Sequence, residues 1–225
     1  MSLLVSALLV ALAAIRGPQS VPRLVAGDYL AEEFMKRMKA TRSVEQSLQG
    51  VPGDILVRVD AGGDDWRVTR GGFSSECGAA TLRRDGSLAP DQAAAAAPTA
   101  AVTVVSSMRF STTLCGGEPT TFLHVGNHGE WISTLLVGGQ YKDPRGAKYI
   151  FGSSGQATFA GRRHVYRIPL DAPADRLELD GVRYAWAIEG GLLKIFVLSE
   201  NGERAAEPLW VLRRMVTNRS MEGIP

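Results

Sequence analysis

From Ile55 onward, apolar side chains recur at every second position. Ile55, Val57 and Val59 alternate with Leu56, Arg58 and Asp60, and the run Trp66–Arg70 follows a Gly62-Gly63-Asp64-Asp65 turn. Alternation of this kind marks half-buried strands, and the turn residues join the two into a hairpin. Asp85-Gly86 suggests a second hairpin. Further strand patterns fall at 101–114, 119–125, 131–138, 147–152, 156–160 and 163–170, then at 176–179, 182–189, 192–199 and 208–214. Asp180-Gly181, Gly190-Gly191 and Asn201-Gly202 punctuate the last four, in the rhythm of an antiparallel meander. Val182, Tyr184, Trp186 and Ile188 share one face. Leu192–Leu198 is apolar on both faces, apart from Lys194, and reads as a central strand.

Before Ile55 the period is helical. Asp28 is placed as an N-cap, and Leu30, Phe34, Met35 and Met38 then form one stripe. Glu32 and Glu33 precede Lys36, Arg37 and Lys39, which suits the helix dipole and allows Glu32–Lys36 and Glu33–Arg37 pairs. Ser43 to Gln46 reads as a capping box for a short second helix ending near Gly50. Residues 91–101 are an Ala-rich, low-complexity loop. There is no βαβ alternation and no solenoid repeat. The fold class expected is mainly β: an antiparallel meander closed into a barrel, or a two-sheet sandwich, preceded by one or two short N-terminal helices. Many antiparallel strands need closure or stacking to manage their edges.

The first fifteen residues change the picture of where this domain works. Leu3 to Ala14 is an uncharged apolar run, with the small-x-small triplet Ala11-Leu12-Ala13 near its end. As a helix it would cover roughly 18 Å, short of a hydrocarbon core of about 30 Å. Residues 1–14 therefore read as a signal peptide. The protein is expected to be exported, periplasmic or extracellular, with residues 24–218 forming one β-barrel domain. Peripheral membrane contact is compatible with this reading, and the oligomeric state is left open.

Export makes the two cysteines interpretable. Cys77 and Cys115 have no zinc-type spacing, and an even count in an oxidising compartment favours a disulfide. The formal charge of +2 is too small for nucleic acid binding by bulk electrostatics.

The outline resembles the lipocalin-like, calycin-type barrels of exported proteins, with an export segment, a short helix and a β-meander over residues 50–215. Gly27-Asp28-Tyr29 stands where that family carries Gly-x-Trp, and Arg213 and Arg214 lie near the last strand; the middle Thr-Asp-x-x-x-Tyr motif is absent. The resemblance implies a cavity for a small apolar or amphipathic ligand or lipid. Tyr184, Trp186, Trp131 and Tyr166 are the expected lining.

Few constellations carry chemistry. His124, His128 and Glu130 lie close in sequence, and imidazole with carboxylate suits zinc. Their spacing matches no established metal signature, and exposed or hydrogen-bonded histidines are the plainer reading. His164 shares strand parity with Tyr166 and is expected to face inward. Asp171, Asp175 and Asp180 lack the order of a calcium loop and read as solvated carboxylates. No nucleophile elbow or phosphate loop is present, so no catalytic residue and no cofactor is assigned. The leading expectation is a ligand-binding exported barrel. A metal-assisted envelope hydrolase and an envelope interaction or scaffold protein are its rivals.

Overall fold

The computed structural model describes residues 22–49, 51, 55–62, 65–71, 80–82, 88–90, 102–113, 119–170 and 174–215, with side chains described outside 61–100. The signal segment, the 91–101 loop, Asp171 and the Cys77–Cys115 disulfide lie outside the described residues.

The chain opens with strand β1 (Gly27–Ala31), helices α1 (Glu32–Thr41) and α2 (Val44–Leu48), and strands β2 (Leu56–Gly62) and β3 (Asp65–Gly71). Short strands β4 (Ala80–Leu82) and β5 (Leu88–Pro90) follow, then β6 (Val102–Ser106), β7 (Arg109–Thr112) and β8 (Thr120–Gly126). These eight strands form one antiparallel sheet in the order β5-β4-β3-β2-β1-β8-β7-β6. Helix α3 (His128–Leu136) leads out of it into β9 (Gly139–Lys142), β10 (Lys148–Phe151), β11 (Gln156–Phe159) and β12 (Arg162–Arg167). The remaining strands are β13 (Arg176–Leu179), β14 (Val182–Glu189), β15 (Leu192–Val197) and β16 (Trp210–Arg214). Strands β9 to β16 close into an eight-stranded antiparallel barrel, with β16 returning to β9.

The fold is thus mainly β with a closed antiparallel barrel and few short helices, as the patterning predicts. The closed barrel occupies residues 139–214 only, and the earlier strands make the separate sheet.

Three local expectations are corrected. Asp28 is not a helix cap. It lies in β1, which is hydrogen-bonded on both edges, to β2 and to β8, and Ala31 takes the N-cap position of α1. Both rows of tertiary hydrogen bonds outweigh the helical stripe there. The segment 131–138 is not a strand. Asn127 caps α3, its side chain accepting the Glu130 N–H at 3.2 Å, and Ile132 and Leu136 are buried along one helical face. The segment 101–114 is a hairpin, β6 and β7, rather than one strand.

Other expectations hold. Phe34, Met35 and Met38 are buried, and the Glu32–Lys36 and Glu33–Arg37 pairs form. Ser43 caps α2, its hydroxyl accepting the Gln46 N–H at 3.0 Å.

The barrel interior is filled. Its β9, β10, β11 and β13 strands have four residues each, about 13 Å of extended chain. Directly paired residues share a face, which puts Tyr141, Tyr149, Phe159, Phe151, Tyr166, Tyr184, Trp186 and Trp210 on the inner side. Their rings form a connected set: Tyr141–Phe151 at 5.8 Å, Phe151–Phe159 at 5.3 Å, Phe159–Trp210 at 5.4 Å and Trp210–Tyr184 at 5.6 Å between centroids. Most of these contacts are edge-to-face or tilted, the arrangement that ring quadrupoles favour.

Candidate functional site

Asp28 organises the junction between the sheet and the barrel. Its neighbour Gly27 has φ +132, and a Cβ there would lie 2.9 Å from His124 Nε2 and 3.0 Å from the Gly126 carbonyl oxygen. Only glycine fits this close approach. The register of β1 on β8 shifts between Asp28 and Tyr29, a bulge that re-aims the side chain.

The Asp28 carboxylate is 2% exposed. It accepts Arg58 Nε–H at 2.8 Å, the His128 backbone N–H at 3.0 Å and His128 Nδ1–H at 2.7 Å. Burial alone pushes this carboxyl upward, but the donors from Arg58 and His128 outweigh it and hold it at about 2. Asp28 is therefore ionised at neutral pH. It fixes the His128 tautomer with the proton on Nδ1, so that Nε2 of the neutral ring is an acceptor. Among the described residues Nε2 has no hydrogen-bond partner.

His128 lines a cleft of about 330 Å³ between α3 and the end of the barrel. Asn127, Glu130 and Ser133 border it on the helix side, and Ser153, Ser154 and Gly155, from the β10–β11 turn, border it on the barrel side. Tyr166 and the segment Ile168–Leu170 form an apolar wall. Tyr166 is an inward-facing barrel residue whose hydroxyl donates to the Gly152 carbonyl at 2.5 Å, and it lines the cleft together with Ser133 of α3. The cleft is polar on one side and apolar on the other.

The predicted residues divide among different places. Tyr166, His128 and Glu130 come together in this cleft. Trp131 sits on α3, half-buried. Tyr184 packs on Trp210, and Trp186 is 2% exposed with an Nε1–H that has no partner among the described residues. Three of the four expected lining residues, Tyr166, Tyr184 and Trp186, thus share the inner side of the barrel, while Trp131 lies on helix α3. His124 leaves the group too: its Nε2 lies 3.2 Å from the Ala26 carbonyl oxygen, and its ring meets Tyr29 edge-on. No group of three metal-ligating side chains forms among the described residues, so His124, His128 and Glu130 do not assemble a metal centre.

His164 has the inward parity expected of it, with its ring 5.1 Å from Phe159, but Nδ1–H donates to Asp180 at 2.6 Å. Asp180 is thus partnered rather than simply solvated, and this bond is the main reason its carboxyl falls below its ordinary value. Asp175 is likewise engaged. It accepts Ser43 Oγ–H at 2.7 Å and Val44 N–H at 2.6 Å, clasping α2 to the barrel.

Sequence reasoning missed Asp28 and Asn127 as the residues that build the site. Asn127 followed three positions later by Glu130 is a helix-start signal, and it was available. Nothing local announces that Asp28 meets His128.

Comparison with protein-family models, with curated proteins and with solved structures gives no match to this chain.

Proposed function

We propose that this chain is an exported, lipocalin-like barrel protein that binds a small amphipathic ligand, and that it binds it in the cleft beside His128 rather than in the barrel lumen. The observation that carries this reading is the cleft itself: a two-sided groove lined by an imidazole that a buried carboxylate holds in place. Asn127, His128 and the hydroxyls of Ser153 and Ser154 suit a polar head group. Ile168, Pro169 and Leu170 suit an apolar tail. A few placed polar groups beside an apolar wall are the usual composition of small-molecule sites. The packed aromatic interior argues against the lumen as the site. Export rests on the apolar segment Leu3–Ala14 and its Ala-Leu-Ala triplet.

Native mass spectrometry of protein purified from the extracytoplasmic fraction tests the reading. Wild type should carry a small bound mass, and Ser154→Trp, which fills the cleft, should lose it while keeping its circular dichroism. A ligand-free wild type, or a mass retained equally by the folded variant, contradicts it.

A further inference from the structure

A second cleft, separate from the His128 groove, lies on the outer wall of the barrel. Across strands β13, β14 and β15 the residues Arg176, Ala185 and Phe196 stand directly opposite one another. This row faces away from Trp186 and Ile195, hence outward. Arg204 folds back over it, its Cζ 4.4 Å from the centre of the Phe196 ring. Arg176 reaches the same turn, with Nη2 only 3.7 Å from the position of a Cβ on Gly202. Two guanidinium-bearing side chains thus flank a floor made of the small residues Ala185 and Ala187. The space above it, bounded on the far side by the α1–α2 junction, has a volume of about 450 Å³.

The charges in this cleft are unevenly committed. Asp175 is occupied by Ser43 and the α2 amides, and Glu189 is paired with Lys194 at 2.6 Å. Glu189 also feels Arg204, though Lys194 is the chief reason its carboxyl lies low. Arg176 and Arg204 make no ion pair among the described residues. Arg42, the third arginine of the cleft, donates to the Leu135 carbonyl. Glu45 is the remaining carboxylate and is exposed.

We propose that this outer cleft binds a phosphate- or carboxylate-type oxyanion of a small ligand between Arg176 and Arg204. Guanidinium forks match such groups geometrically, and stacking on Phe196 holds the Arg204 fork in place before the ligand arrives. The alanine floor leaves room for the ligand where a larger side chain would block it.

Titration of isotopically labelled full-length protein with inorganic phosphate, and separately with succinate, at constant ionic strength tests this by NMR. At least one anion should give saturable shifts in the amides of Ala185, Ala187 and Gly202. Arg176→Gln and Arg204→Gln should each weaken its binding by about tenfold or more, the loss of one charge-assisted contact. Arg204→Lys keeps the charge and the cover over Phe196, and should bind better than Arg204→Gln. Arg163→Gln, on the distant β12 strand, should leave binding unchanged. Shifts that rise linearly with both anions, or affinities unchanged in folded Arg176→Gln and Arg204→Gln, overturn the proposal.

Discussion

Asp28 and His128, separated by 100 positions in sequence, are joined by a 2.7 Å hydrogen bond and by a second bond from the His128 backbone N–H. One carboxylate thus links β1 of the sheet to the first turn of α3, and through α3 to the barrel. Asp28→Asn keeps the shape but brings an NH2 group against donors from Arg58 and His128. Loss of charge-assisted bonds at a buried group should cost about 2–3 kcal/mol. Urea denaturation checks this, and a change below about 0.5 kcal/mol, the scale of ordinary surface substitutions, would remove Asp28 from its organising role.

The same carboxyl sets an acid limit. Its folded value of about 2 lies below the ordinary 3.8. A depressed carboxyl contributes stability that is fully present above the ordinary value and is lost as pH falls through the folded one. The loss should therefore fall between about pH 4 and pH 2, with a size of about 2 kcal/mol. Denaturation curves across that range should slope less steeply for Asp28→Asn than for wild type. Parallel slopes would contradict the assignment.

Asp175 makes a separate prediction. Its carboxylate satisfies the Val44 amide and, more distantly, the Glu45 amide at 3.3 Å, and it accepts from the Ser43 hydroxyl. Asp175→Ala should cost about 1–2 kcal/mol, the range for losing a helix cap. Hydrogen exchange at Val44 and Glu45 should accelerate, while the β14 and β15 amides remain protected. Uniform acceleration would mean that the clasp is not local.

Gly27 is predicted to resist substitution. In Gly27→Ala the methyl group meets His124 Nε2 and the Gly126 carbonyl, and the backbone must leave φ +132. A cost of about 1–3 kcal/mol is expected from strain at such a position, with displaced His124 ring resonances in NMR. A stable variant with unmoved resonances would show that the bulge is not needed to aim Asp28.

The barrel was legible because its signals are local. Asp180-Gly181 and Gly190-Gly191 are the turns observed on either side of β14, and the alternation of Val182, Tyr184, Trp186 and Ile188 gives the observed parity. Alternation does not report how many strands close together, so nothing in it divides the β1–β8 sheet from the β9–β16 barrel. It also does not report filling. Tyr184 and Trp186 share a face whether the interior is hollow or occupied by Trp210 and Phe159. The segment after His124 forms a helix where the pattern suggests a strand, because an apolar run such as Trp131–Leu136 fits either, and the deciding feature is the Asn127 cap. The site itself depends on contacts between residues far apart in sequence, Asp28 with Arg58 and with His128, which no local pattern encodes.

The central claim is where an amphipathic molecule binds. The most direct measurement is NMR mapping of 8-anilinonaphthalene-1-sulfonate titrated into labelled wild type and Ser154→Trp. The account predicts saturable shifts at His128, Ser153, Ser154 and Leu170 that disappear in the folded variant. Shifts confined to Tyr184, Trp186 and Trp210, or no saturable binding in wild type, would contradict it.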